Sequence, residues 1–293
     1  MPLSSATVGT LGEPLVHEID ARWTMAYAAG LGDTLPCYLD TRRPEGVVAH
    51  PLFPVCFEWP VILGLRGHAG HKSLTADEQV RNVHATHDLT LHRLVRPGDR
   101  LTTRATIVGV ERRKPGAYQV VRLDTTDAAG APVCTTWQGG LYRGVAVEGP
   151  DRPAADAPAP PGPLDRSVPA RTESSVPVSA VAAHVYTECA RIWNPIHTDA
   201  AVAARAGLPG IILHGTATLA LAVSRVLERE ADNDPQRVRR VAGRFGAMVR
   251  MPSQISVRLL SRTVTPQGDV VRFEVRTAAG EPAVRDGLVA LRT

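Results

Sequence analysis

Two segments of this chain recur 150 residues downstream, with a proline-rich stretch between the copies. Val120-Val121-Arg122-Leu123 returns as Val270-Val271-Arg272-Phe273. Ala128-Ala129-Gly130-Ala131-Pro132 returns as Ala278-Ala279-Gly280-Glu281-Pro282. Each pair reads as a strand followed by a glycine-containing turn. The interval from Val147 to Pro169 holds Pro150, Pro153, Pro158, Pro160, Pro161, Pro163 and Pro169. Proline lacks the N–H that a ladder or a helix interior needs, so this interval reads as an extended linker. Two matches at one offset, on either side of a linker, favour duplication over chance likeness of two strand–turn–strand units. The expected organisation is an N-terminal unit over 1–147, a linker over 148–170 and a C-terminal unit over 171–293.

The two units share one pattern. Leu101 to Val110 and Tyr118 to Thr126 alternate or run apolar in the first, as do Ile255 to Val264 and Val270 to Thr277 in the second. The first unit opens with helix and loop. The second has a clear helix from Ala217 to Glu228, rich in Ala, Leu and Val and uncharged until Arg225. Such a helix must be buried on nearly all sides. The expected class is α+β, with strand-rich units and an apolar helix.

Composition excludes several functions. Apolar residues make up 44% and charged residues 21%, as in an ordinary globular protein. The net charge of +4 comes from Arg, since Lys72 and Lys114 are the only lysines. No basic run interleaved with aromatics appears, so nucleic acid is not the expected partner. No apolar run is long enough to span a bilayer. Cys37, Cys56, Cys134 and Cys189 lack CxxC spacing. No metal is therefore expected, and the thiols read as free in a cytoplasmic protein.

The stretch Tyr186 to Thr216 carries the chemistry. It reads Tyr-Thr-Glu-Cys-Ala-Arg-Ile-Trp-Asn-Pro-Ile-His-Thr-Asp, a short helix through Ala206, Gly207-Leu208-Pro209-Gly210, and then Ile211-Ile212-Leu213-His214-Gly215-Thr216. This resembles the signature of the MaoC-like (R)-specific enoyl-CoA hydratases. There a Tyr is followed by Asp-x-Asn-Pro-x-His, and a His-Gly pair follows at the start of the central helix. Asn194, Pro195, His197, His214 and Gly215 fall on matching positions at matching separation. The resemblance implies a double hotdog fold, with two antiparallel sheets each wrapped around a central helix. It implies a substrate-accommodating first half and a catalytic second half.

It also implies a reaction, water adding across an enoyl thioester or leaving a 3-hydroxyacyl thioester. The carrier would be coenzyme A or an acyl carrier protein, with no separate cofactor. A His titrating near neutrality suits the proton transfers. The N-terminus of an apolar helix offers unpaired N–H groups to the thioester oxygen, and Gly permits close approach. His197 would handle water, Asn194 would support it, and the N–H at Gly215 would form the oxyanion hole. His214, Thr216, Tyr186 and Arg244 would line the substrate site, with Arg244 near the cofactor phosphates. A homodimer is expected.

One position departs from the family pattern. The catalytic Asp lies five residues before the His, where this chain has Ile192. Three replacements stay open: Glu188 or Arg191, a group from the first half, or His197 acting alone. Two other readings also stay open. One is a hotdog enzyme of thioesterase or cyclase chemistry, and the other is a non-catalytic partner subunit. Elsewhere, Asp33 and Asp199 read as caps or surface residues. Cys189 has no activating partner. His84 and His87, three apart on a strand, should diverge and serve structure.

Overall fold

The computed structural model describes residues 2–65, 67, 74–164 and 169–293, so linker positions 165–168 lie outside the described residues. The first half has a short strand β1 (Leu3–Ser4) and an edge strand β2 (Leu15–Glu18). Helices α1 (Ala21–Gly30), α2 (Pro36–Leu39), α3 (Pro54–Leu65) and α4 (Ala76–Val80) follow. Then come β3 (Asn82–Leu91), β4 (Arg100–Arg113), β5 (Gly116–Thr126), β6 (Pro132–Arg143) and β7 (Val147–Glu148), the last paired with β1. The second half repeats the order. It has β8 (Thr172–Val178), α5 (Ala182–Ala190), a 3-10 turn at Pro195–His197, α6 (Ala200–Arg205) and α7 (Gly215–Glu230). It ends with β9 (Val238–Phe245), β10 (Ser253–Thr265), β11 (Gly268–Arg276) and β12 (Pro282–Leu291).

This is a double hotdog, with one addition. The two sheets are hydrogen-bonded edge to edge through β3 and β9, so ten strands form one sheet. Its order, β2-β4-β5-β6-β3-β9-β12-β11-β10-β8, is a palindrome about that joint. Thr86 faces Arg244, Asp88 faces Ala242 and Thr90 faces Arg240 across it. The repeated turns match in detail. Asp127 N–H donates to the Ala131 carbonyl at 2.9 Å, and Thr277 N–H donates to the Glu281 carbonyl at 2.8 Å. Gly130 and Gly280 adopt positive φ of 81° and 78°, a conformation glycine takes without steric cost.

Each half wraps its strands around one helix. On α7, ten residues are buried, from Ala217 through Val223 and Leu227 to Glu230, as an apolar sequence requires. Its counterpart α3 is apolar except for the buried Glu58, and buries Val55, Phe57, Val61 and Leu65. Pro60 lies inside α3 and hides it from a sequence reading, because proline removes a helical hydrogen bond.

The linker is extended and also pinned. Val110 and Arg152 exchange two backbone hydrogen bonds of 2.8 Å. Arg122 then holds Asp156, Arg240 donates to the Ala159 carbonyl at 2.8 Å, and Arg272 donates to the Gly162 carbonyl at 2.6 Å. Leu164 N–H reaches Asp286 at 3.2 Å. The linker thus straps β4, β5, β9, β11 and β12. No helix among the described residues is long and apolar enough to cross a membrane.

Arg240 on β9 also makes a two-pronged pair with Asp88 on β3, at 2.8 and 2.5 Å, and so ties the halves together. Arg240→Ala should lower unfolding free energy by about 1–3 kcal/mol, because Asp88 is left half-buried without its donor. Asp88→Asn should cost less than additively on top of it. Urea denaturation of both single variants and the double variant measures this. Additive losses would show that the pair does not act across the joint.

Candidate active site

The stretch from Tyr186 to Thr216 is built as a helix stop, a tight turn and a helix start. Arg191 ends α5 in the left-handed region, at φ 57° and ψ 35°. Ile192 N–H closes back on the Thr187 carbonyl at 3.1 Å. Pro195 opens the 3-10 turn, where its missing N–H is not needed. His197 N–H donates to the Asn194 carbonyl at 3.1 Å. Asp199 then caps α6 through the N–H groups of Ala201 and Val202, at 2.8 and 3.0 Å, as the sequence suggested. Asn194 supports His197 through its backbone, and its side chain caps nothing.

The turn aims His197 inward. Its Nδ1 lies 2.8 Å from the Ile212 carbonyl oxygen. A carbonyl only accepts, so Nδ1 carries the proton and Nε2 keeps a lone pair. Nε2 makes no hydrogen bond to the described residues. The ring stacks on His214, with centroids 3.6 Å apart and planes 24° apart. Burial lowers the His197 pKa to about 4. Burial, and then His197 itself, push His214 well below its ordinary value. Two stacked imidazoles cannot both carry charge, so both stay neutral at pH 7.

His214 sits at the N-cap of α7 with its Nε2 3.3 Å from Thr187 Oγ1. The N–H groups of Gly215 and Thr216 donate to no acceptor among the described residues. Tyr186 is buried and hydrogen-bonds Thr216 Oγ1 at 3.1 Å and Tyr27 Oη at 3.3 Å. A Cβ at Gly215 would meet the Phe245 ring at 3.0 Å, so only glycine lets that ring close on the helix start. Arg244, next to Phe245, is 60% exposed with Asp286 at 3.5 Å. The structure therefore brings His197, His214, Gly215, Thr216 and Tyr186 together, and leaves Arg244 at the surface.

No carboxylate among the described residues hydrogen-bonds His197. Ile192 is buried in the core. Glu188 is exposed and accepts from Trp193 Nε1 at 3.5 Å. Arg191 lies over the Trp23 ring at 4.2 Å. In the first half, Glu58 accepts from Thr136 Oγ1 at 2.5 Å, and burial raises its pKa to about 8.

The first half holds a second copy of this turn, offset by 159 residues, which the sequence reading missed. Asp33 N–H donates to the Ala28 carbonyl at 3.0 Å, as Ile192 does to Thr187. Tyr38 N–H donates to Leu35, as His197 does to Asn194, and Asp40 N–H to Pro36, as Asp199 does to Pro195. The first copy thus has Asp33 where the second has Ile192, and Tyr38 where the second has His197. The signal was the Pro36/Pro195 pair, masked by Leu35 in place of Asn194. Asp33 is not a surface residue. It is 7% exposed and accepts from Ser224 of α7 at 2.8 Å. His50 Nδ1 accepts from Leu52 N–H at 3.1 Å, so its Nε2–H faces Ser224 Oγ at 3.3 Å as a donor. His50 therefore cannot serve Ser224 as a base, and the trio joins the halves.

His84 and His87 do not diverge. A bulge in the β3·β6 pairing, between His84 and Thr86, turns both rings to one side. Their centroids are 5.4 Å apart, and His84 packs on Phe245 at 4.7 Å. Among the described residues, no three His, Cys, Asp or Glu side chains gather as a metal site would need.

Comparison with known proteins agrees with this geometry. Residues 166–281 match the MaoC-like domain, and residues 6–136 match the FAS1-like dehydratase domain region. Over 154 residues the chain is 27% identical to a UPF0336 protein of Saccharopolyspora erythraea, spanning 50% of this chain and 96% of that protein. Over 53 residues it is 40% identical to the peroxisomal enoyl-CoA hydratase 2 of Arabidopsis thaliana, spanning 18% of this chain and only 17% of that protein. The crystal structure of a MaoC-like dehydratase from Phytophthora capsici superposes with a TM-score of 0.83 over 98% of this chain and 96% of that one. At 18% identity, that likeness is one of fold.

Buried neutral histidines set an acid limit. His50, His84 and His197 are lowered to about 4, and His87 and His214 lie well below their ordinary value, chiefly by burial. Between about pH 4 and 6.5 the unfolded chain binds more protons, so stability falls as pH falls, by about 1.4 kcal/mol per pH unit per histidine. Glu58, protonated when folded up to about pH 8, opposes this with one group, losing stability as pH rises. Urea midpoints from pH 7 to 4.5 should drop steeply. A flat profile would mean the imidazoles protonate in the folded state.

Proposed function

We propose that this chain, a double hotdog protein of the MaoC-like dehydratase family, interconverts enoyl and 3-hydroxyacyl thioesters with His197 as its single base. The thioester would be carried by coenzyme A or an acyl carrier protein. The observation that carries this reading is the His197 Nδ1 bond to Ile212, which leaves Nε2 as an unused lone pair in a buried, neutral ring.

Nε2 takes a proton from water, and the hydroxide adds to C3 of the enoyl chain. Charge moves to the thioester oxygen, where the free N–H groups of Gly215 and Thr216 face it at the positive end of α7. The imidazolium then returns that proton to C2, which restores the base and balances the reaction. Stacking on His214 disfavours lasting protonation, so the second transfer is fast. Tyr186 holds Thr216 and thereby the helix start. Asn194 and Pro195 hold the turn.

His197→Ala should lower hydration of 2-enoyl thioesters at least a thousandfold while the unfolding midpoint holds or rises, because a desolvated imidazole is removed. Normal turnover by that variant on the enoyl thioester that the wild type hydrates would rule out the base.

Ile192, five positions before His197 and buried in the core, favours a second reading, a hotdog chain that binds an acyl thioester without hydrating it. The same assay separates the two, since release of free thiol without water addition marks a thioesterase. On the hydratase reading, Ile192→Asp should raise kcat by about ten- to a hundredfold, by adding a second acid–base group. An unchanged kcat in a folded variant would argue that position 192 does not face the reacting atoms.

A further inference from the structure

The inner face of the first-half sheet carries polar groups where a core should be apolar. His87 is 1% exposed, and neither ring nitrogen has a hydrogen-bond partner. His84 Nε2 and Asn82 Oδ1 are likewise buried without a partner. Buried polar atoms are almost always paired, and the exceptions mark sites where something else supplies the bond. These three residues follow one another on β3, and the bulge at His84 keeps both imidazoles on the same side.

Their neighbours link them to the start of α7. Gly140 lies opposite His84 in the ladder, where a Cβ would meet the Asn82 side chain at 2.7 Å, and Gln138 lies opposite His87. His84 packs on Phe245 at 4.7 Å, and Phe245 closes on Gly215. Asn82, His84, Gln138, Phe245, Gly215 and Thr216 are each partly exposed, while His87 lies behind them. Contacts therefore run from the start of α7, through Phe245, to the two imidazoles.

We propose that the acyl chain of the substrate carries an uncharged hydrogen-bonding group, a keto or hydroxyl oxygen several carbons beyond the thioester, which His84 and His87 bind. This rests on the thioester reading of the His197 site. Burial keeps both imidazoles neutral, His84 at a pKa of about 4 and His87 lower still, so neither offers the positive charge that a carboxylate would require. A neutral imidazole presents one donor and one acceptor, which matches a hydroxyl or, through its N–H, a ketone. A plain alkyl chain would leave these atoms unpaired in the complex, and sites built to hydrogen-bond a group reject the analogue lacking it.

The test compares 2-octenoyl thioesters with and without a keto group at C5, C6 or C7. The same chains as non-reacting saturated thioethers are compared by calorimetry. The wild type should favour at least one keto chain about tenfold or more, in kcat/KM and in Kd. His87→Leu should bring that ratio to about one, and His84→Leu should do the same. Asn82→Ala, beside His84 and partly exposed, serves as a second probe if either core variant fails to fold, and should weaken the ratio. Equal affinity for plain and keto chains in the wild type would overturn the proposal, as would a ratio that survives in folded His84 and His87 variants. If the thioethers show the preference but no thioester is hydrated, the hydratase reading fails and this one stands.

Discussion

The antiparallel joint between β3 and β9 decides the rest of the molecule. A hotdog sheet on its own has an open edge, and an open edge is a place for another chain to pair. Here each half closes the other's edge, so one palindromic sheet carries two central helices. Everything on the helix side then comes in related pairs. Tyr27 of α1 meets Tyr186 of α5, hydroxyl to hydroxyl, at 3.3 Å. Tyr27 also reaches the Leu52 carbonyl at 3.4 Å, while Tyr186 reaches Thr216. His50 and His214 stand just before the two central helices.

Within that symmetry, the two halves have parted in chemistry. The same backbone turn holds Asp33 and Tyr38 in one copy, and Ile192 and His197 in the other. In the first copy Asp33 and His50 are both turned to Ser224, and the buried Tyr38 hydroxyl has no hydrogen-bond partner among the described residues. In the second, the polar groups are few and one nitrogen is left over. A buried carboxylate beside a buried imidazole would hold the pair in one charge state. Ile192 removes that influence, so desolvation, opposed by the Ile212 carbonyl, governs His197 and keeps it unprotonated. The same joint sets Arg244 opposite Thr86 and carries Phe245, beside it on β9, against His84, which brings the first half next to the proposed site around His197.

Much of this was legible in the sequence. The duplicated strands, the turns at Gly130 and Gly280 and the apolar helix at Ala217 to Glu228 follow from local pattern, and the grouping of His197 with His214 and Gly215 from the resemblance to the family signature. Three features did not. Pro60 disguised α3, because a proline in a helix interior reads as a break. The bulge at His84 reversed a facing argument that assumes strict alternation, and nothing in Val83 to His87 announces an extra residue. The Asp33 turn was hidden because its counterpart shares the backbone and one proline but none of the chemistry. The linker was legible as extended, yet its arginine anchors depend on strands far away in sequence.

The account stands on one imidazole doing both proton transfers. Hydration of a 2-enoyl thioester in D2O, with the product's configuration at C2 and C3 read by NMR, tests this directly. One base on one face predicts that the deuterium at C2 and the hydroxyl at C3 arrive on the same face of the double bond. Addition from opposite faces would require a second acid across the substrate, and would contradict the assignment of His197 as the sole acid and base.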